Sequence, residues 1–449
     1  MHNVSNLSVR EAALNIVVRV GEGGGYSNLL LNQTLKKERF KANDSALLTE
    51  LVYGTLQRRD TLAYFLAPFV KKKVKPWVKW LLYLSVYQMV YLKKVPDHAV
   101  IFESVELGKK KGHKGISSLI NGVLRNVQRN GVPSLDQIED PVERLATETS
   151  HPVWLVKRMV NWYGLETTKA MCLRNLERKN VTVRVQALKT SREEVIETLI
   201  NDGFDVAPSP LSPQGIIMEQ GNILQHSLFQ NHLTVQDESS MLVGEMMGLA
   251  PGMEVLDACS APGGKTTHMA EIMENEGTIY AYDLHAKKAK LVEQKAKALG
   301  LTIVEAKQGD SRNLRQFHEN KTFDRILLDA PCSGLGVLSG KPEIKYEKSE
   351  ADIINLARIQ YELLEAVAPL LKDDGKLVYS TCTVDKEENE YNVKRFLEQH
   401  EQFEVDPDFH QELPEICRNL PGLSEWGLQL FPQDLNTDGF FLTRLRKKE

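Results

Sequence analysis

Two cysteines, Cys332 and Cys382, stand where a chain could do covalent chemistry. Cys332 lies in Asp329-Ala330-Pro331-Cys332-Ser333-Gly334, and Cys382 in Ser380-Thr381-Cys382-Thr383. Each follows an aliphatic run, Arg325-Ile326-Leu327-Leu328 and Lys376-Leu377-Val378-Tyr379, of the kind that makes a buried strand. Both thiols are therefore expected at the carboxyl ends of strands, the edge where open α/β sheets hold ligands. An earlier strand ends in the glycine-rich turn Asp257-Ala258-Cys259-Ser260-Ala261-Pro262-Gly263-Gly264-Lys265. A cofactor loop and two thiols on one sheet edge fit covalent chemistry on an electrophilic ring. Either thiol could instead be a small buried hydrophobe. The polar neighbours Ser333, Ser380 and Thr383 weigh against that.

The turn can be tested against three ligands. A triphosphate loop needs G-x-x-x-x-G-K-[ST]; Gly264-Lys265-Thr266 supplies its end, but Cys259 stands where the first glycine belongs. Pro262 also removes an amide from the cradle. The dinucleotide pattern G-x-G-x-x-G is absent. S-adenosylmethionine carries no phosphate and asks for close backbone approach plus carboxylates. Gly263 and Gly264 give the approach. Asp257, Asp283, Asp310 and Asp329 end four successive predicted strands. Asp283 is placed to grip ribose hydroxyls and Asp310 to cap the adenine amine. Helix N-caps explain any one of these aspartates, and explain all four together poorly.

The elements that must carry these residues divide the chain of 449 residues, 42% hydrophobic, into several packed parts. A net charge of −4 hides an asymmetry: residues 1–130 hold 21 Lys/Arg against 9 Asp/Glu, and the remainder 35 against 51. The basic part suits a polyanion, or is simply a solvated surface. Apolar residues recur at helical spacing through 1–130, with Asn43-Asp44-Ser45 and Asp97 as expected N-caps. Residues 131–149 read as a linker and 150–235 as a small α+β module. Residues 236–449 alternate strand and helix, which predicts a doubly wound, mainly parallel sheet. The tail from Gly439 to Leu445 reads as a last, antiparallel strand. Five cysteines without a Cys-x-x-Cys pair disfavour structural zinc and suit a reducing cytoplasm. Met1–Asn6 lacks the apolar core of a signal peptide. Trp80–Leu92 is too short to span a bilayer of about 30 Å. A cytoplasmic protein, without membrane or metal and favoured as a monomer, is expected.

Asp257–Lys265, Asp329–Gly334 and Ser380–Thr383 resemble the signature motifs of the RNA cytosine-5 methyltransferases. "HAVIFESVELGKK" followed by "SSLINGVLRNV" resembles NusB, an all-helical RNA-binding fold. Together they resemble, over essentially the full length, the RsmB/Sun family that methylates bacterial small-subunit ribosomal RNA. The resemblance implies an S-adenosylmethionine-dependent Rossmann-like domain, 236–449, behind a NusB-like helical domain, 1–130. It implies that Cys259, Ser260, Ala261, Pro262, Gly263, Gly264, Lys265, Asp283, Asp310 and Asp329 bind the cofactor. One departure is Lys341-Pro342-Glu343-Ile344-Lys345-Tyr346, where the family often has Arg and His before the proline and Asp and Trp after it. The departure touches the loop's RNA contacts and leaves the chemistry as it stands.

The chemistry explains the cysteine pair. A thiolate adds to the ring carbon beside the target and makes the base nucleophilic; the target carbon then takes the methyl, and a base removes its proton. Residue chemistry alone does not say which cysteine attacks. Pro331-Cys332 resembles the nucleophile site of DNA enzymes, and Thr381-Cys382 that of RNA enzymes, so the resemblance assigns attack to Cys382 and product release to Cys332. Asp329 is expected to share a proton with the ring nitrogen. Lys265 and Lys345 are expected to face phosphate, or else solvent. Gln236-Asp237-Glu238-Ser239-Ser240 is either a helix cap or part of the site. A transfer-RNA substrate, and a non-catalytic RNA-binding or antitermination factor, are the alternative functions.

Overall fold

The computed structural model describes residues 7–38, 40–229, 231–318 and 322–448. Met1–Asn6, read above for a leader, lie outside them. Two compact units share the chain: residues up to Arg178 with Leu338–Glu347, and Lys179–Val337 with Lys348 onward.

The first unit is helical: α1 (Val9–Gly21), α2 (Ser27–Glu38), α3 (Ala42–Gln57), α4 (Arg59–Leu66), α5 (Pro76–Tyr91), α6 (Asp97–Lys111), α7 (Lys114–Asn130), α8 (Pro141–Thr149) and α9 (Val153–Arg174). The spaced apolar residues Ala12, Ile16, Val17, Leu48, Leu51, Val52, Leu81 and Val86 meet in one core, which gives short helices the stability that propensity alone does not. That packing also sets where helices begin. Neither expected cap operates, because α3 starts after Lys41 and α6 after Pro96. The segment expected as a linker ends in α8: Asp140 caps it by accepting from the Glu143 amide at 2.7 Å, Pro141 opens it, and Leu145 and Ala146 are buried. Helix α9, expected to open the mixed module, groups with the helical unit.

The second unit starts with a four-stranded antiparallel sheet, β1 (Val181–Val185), β2 (Asp205–Pro208), β3 (Gly215–Gln220) and β4 (Leu233–Val235), in the order β2-β3-β1-β4 with α10 (Arg192–Asn201). After α11 (Glu238–Met246) comes the main sheet. Its strands are β5 (Glu254–Asp257), β6 (Thr278–Asp283), β7 (Val304–Gln308), β8 (Phe323–Asp329), β9 (Leu371–Thr381), β10 (Phe403–Val405), β11 (Leu423–Ser424), β12 (Gly427–Leu430) and β13 (Phe440–Lys447). Helices α12 (Gly264–Ile272) and α13 (Ala286–Leu299) connect β5 to β6 and β6 to β7. The order is β11-β12-β13-β9-β8-β5-β6-β7, with β10 on β13. Strands β5 to β9 run parallel, and β13 lies antiparallel on β9.

Neighbouring residues on these strands enter different cores. Val255, Leu327, Val378 and Leu442 join one; Leu256, Ile326, Leu328, Leu377, Tyr379 and Phe441 join the other. A sheet covered on both faces needs such continuous apolar strands. The chain order reverses between β5 and β8, so their carboxyl ends splay apart and leave a crevice. The glycine-rich turn, Asp329 and both cysteines all lie at that edge.

Candidate active site

A cavity of about 260 Å³ opens at this crevice. Its lining includes Asp257, Cys259, Ser260, Gly264, Lys265, Asp329 and Cys382. Three local devices build it. Gly263 precedes α12 with φ of +91°, a left-handed conformation that favours glycine. Thr266 on the first turn of α12 donates to Asp257 Oδ2 at 2.7 Å. The Ala330 amide bonds the Ser380 carbonyl at 2.9 Å, which brings the segments after β8 and β9 side by side.

That juxtaposition unites the two thiols: Cys332 Sγ lies 3.1 Å from Cys382 Sγ. The Cys332 thiol is pushed well up, first by its bond to Cys382, then by burial and by the charges of Cys382 and Glu388. Only Cys382 of the pair lines the cavity. Lys265 Nζ pairs with Asp329 Oδ2 at 2.8 Å, and Ser380 Oγ donates to Asp329 Oδ1 at 2.9 Å. Burial opposes a charge on Lys265, but Asp329, Cys382 and Asp257 reverse that and raise it above the ordinary lysine value. Where phosphate or solvent was expected, Lys265 thus faces a carboxylate, half-buried on the cavity wall. Burial lifts the Asp257 carboxyl to about 7, and Asp329 adds to the rise.

The other expected residues divide. Asp283 Oδ1 accepts the His285 amide at 2.9 Å, and Asp310 Oδ1 the Arg312 amide at 3.0 Å. Asp310 also pairs with the Arg312 guanidinium at 2.7 Å. Asp310 caps the short helical turn that follows it, Asp283 closes a turn at His285 before α13, and neither lines the cavity. Asp237 does both things asked of it. It caps α11 through the Ser239 amide at 3.0 Å, and it lines the cavity while pairing with Lys179 at 2.6 Å. Cys172 and Cys417 are buried.

Lys345 was placed against phosphate or solvent, and is wholly buried in the helical unit instead. Its Nζ donates to the Gln57 carbonyl at 3.0 Å. Glu343 accepts the amide of Ser27 at 3.0 Å and its hydroxyl at 2.8 Å, which caps α2 with an anion. Two of the loop's departures from the family pattern, Glu343 and Tyr346, are thus packing residues; the Tyr346 hydroxyl donates to the Ser150 carbonyl at 2.9 Å.

Sequence reasoning missed Arg184, Glu388 and Asn389. Arg184, fully buried on β1, donates to the Gly264 carbonyl at 2.8 Å and to both Glu271 oxygens at 3.0 Å. It ties the small sheet to the first turn of α12 and so steadies the glycine-rich loop. An arginine inside an apolar strand was the available signal. Among the described residues, no His, Cys, Asp and Glu side chains are grouped to hold a metal ion. No described helix is long and apolar enough to cross a membrane.

The cavity fits S-adenosylmethionine on two observations. Asp257 Oδ1 is buried with no side-chain partner among the described residues. A side chain at Gly264 would project into space whose nearest atoms, on Lys295 and Gln236, lie 3.7 and 3.8 Å away. The first leaves a carboxyl oxygen for a polar group of the guest, and the second leaves room beside the turn for it.

Comparison with known proteins divides the chain in three, and its middle part opens with α9, as the sequence suggested. Residues 246–446 match the family described as 16S rRNA methyltransferase RsmB/F, residues 7–129 the NusB family, and residues 151–224 the RsmF/B-like ferredoxin-like domain. The "Probable ribosomal RNA small subunit methyltransferase B" of Bacillus subtilis is 47% identical over 98% of this chain and 99% of its own. The Pseudomonas syringae "Ribosomal RNA small subunit methyltransferase B" is 34% identical over 98% of this chain and 97% of its own. The crystal structure of PH0851 superposes with a TM-score of 0.84 at 28% identity, covering 98% of both chains.

Proposed function

The chain belongs to the family of ribosomal RNA small subunit methyltransferase B, and from that premise we propose that it methylates carbon 5 of a cytosine in that RNA through a covalent bond to Cys382. The observation that carries this reading is the pair of thiols 3.1 Å apart, with Cys382 on the cavity wall beside Lys265 and Asp329. S-adenosylmethionine, held by the loop Cys259–Lys265, supplies the methyl group as a sulfonium electrophile.

The Lys265 ammonium interacts with charge on Cys382, so it favours the thiolate that must attack. Asp329, fixed by Lys265 and Ser380, is oriented to share a proton with the ring nitrogen as charge develops there. Cys382 bonds to carbon 6 and carbon 5 becomes the nucleophile. Cys332, its own proton lost to water, takes the proton from carbon 5, and the electron pair of that C–H bond expels Cys382 as a thiolate.

Labelled S-adenosylmethionine and precursor ribosomal RNA test the reading. Cys382→Ala should lose turnover by about 10³-fold or more. Cys332→Ala should trap an RNA–protein adduct stable to denaturation. Wild-type turnover in Cys382→Ala, or methyl at a position other than carbon 5, would defeat it.

A further inference from the structure

Two consecutive residues anchor the segments of the two cysteines: Asn389 brackets Cys382 directly, and Glu388 brackets Cys332 together with Gln360. Glu388 Oε2 accepts the amide of Ser333, the residue after Cys332, at 2.8 Å, and its Oε1 accepts the Ser333 hydroxyl. Gln360 Nε2 donates to that same carboxylate at 2.8 Å and to the carbonyl of Pro331, the residue before Cys332, at 2.9 Å. Asn389 does the equivalent for Cys382. Its Oδ1 accepts the hydroxyl of Thr381, the residue before, at 2.5 Å, and its Nδ2 donates to the carbonyl of Thr383, the residue after, at 3.1 Å. Ser333 Oγ and Thr383 Oγ1 close the circle at 2.8 Å. Glu388 and Asn389 are nearly inaccessible, so water does not compete for these bonds.

We propose that Glu388 and Asn389 are positioning residues that set the two thiols separately, Glu388 registering Cys332 for the release step and Asn389 registering Cys382 for attack. The inference rests on the covalent reading above. Each residue holds its own cysteine through the flanking backbone and hydroxyls, and the single Ser333–Thr383 bond joins the two clamps, so the larger effect of each falls on its own step. A reacting sulfur displaced by about 1 Å loses about 10²-fold in rate. Burial holds the Glu388 carboxyl up near 7, so a neutral glutamine can stand in for it: its carbonyl still accepts the Ser333 amide.

The full-length protein is assayed with ribosomal RNA and labelled S-adenosylmethionine, scoring both the rate of adduct formation and overall turnover. Glu388→Ala should form adduct at close to the wild-type rate yet turn over about 10- to 100-fold more slowly, with adduct accumulating. Glu388→Gln should return most of the turnover. Asn389→Ala should slow adduct formation by a similar factor with no accumulation. Equal losses in both steps for both variants, with S-adenosylmethionine binding intact, would overturn the assignment; so would unaltered turnover in Glu388→Ala. If Glu388→Ala fails to fold, Ser333→Ala removes one of the same bonds and must show the same accumulation. Cys332→Ala runs alongside: if it traps no adduct, the covalent reading itself has failed, which is a different result from failure of the clamp.

Discussion

Two lysines, Lys265 half-buried in one unit and Lys345 wholly buried in the other, show how differently the two parts of this chain treat charge. Lys265 in the catalytic unit has Asp329 at 2.8 Å, and is held above the ordinary lysine value. Lys345 in the helical unit has carbonyl and amide oxygens instead. Burial drops it to about 7, beyond what the charges of Cys172 and Asp60 restore. The catalytic unit keeps a charge where chemistry will need one; the helical unit tolerates an amine that can be neutral. Burial alone therefore does not decide the state of a lysine. The partner does.

The sharpest way to break this comparison is Lys265→Met. It strips Asp329 of its partner and Cys382 of its nearby cation, and turnover should fall about 10²-fold or more. Lys345→Met should leave turnover within a few-fold, since its surroundings hold no reacting atom. Equal losses in the two variants would erase the distinction.

A pH series sharpens it further. The folded value of Lys345, about 7, lies below its unfolded value of 10.5. Between these the unfolded chain binds the extra proton, so this group makes stability rise with pH, by up to about 1.4 kcal/mol per unit. Below pH 7 the folded protein must hold a buried ammonium. Denaturant titrations should show wild type losing ground to Lys345→Met as pH falls from 10 to 7. A pH-independent difference would mean that the amine keeps its proton throughout.

The smallest effect concerns the basic surface of the helical unit. Lys71, Lys72 and Lys73 are exposed, so replacing all three with serine should weaken RNA binding about tenfold and flatten its salt dependence, while S-adenosylmethionine affinity stays put. Deleting 1–130 is a poorer test of the same division. Residues 338–347 pack within the helical unit, and the deletion would strip Glu343 and Lys345 of Ser27 and Gln57.

Local chemistry was legible where the chain acts over a few residues. The strand ends at Asp257, Asp283 and Asp329 were readable, because a β-branched or aliphatic run followed by a turn leaves few other options. So were the glycine-rich loop and the two cysteine motifs. Asp310 looked the same in sequence and was not the same: a guanidinium two residues on occupies its carboxylate. The linker reading of 131–149 failed because Leu145 and Ala146 were too few to announce a core-facing helix. Glu388 and Asn389 sat unnoticed in an acidic run that reads as solvated surface.

By itself the order of residues determined which chemistry was on offer, since side-chain types and their place at strand ends are properties of short stretches. Only tertiary packing decided which thiol opens on the cavity, which lysine keeps its proton, and where residues 338–347 belong. Each of those depends on partners tens or hundreds of positions away, whose proximity no local pattern encodes.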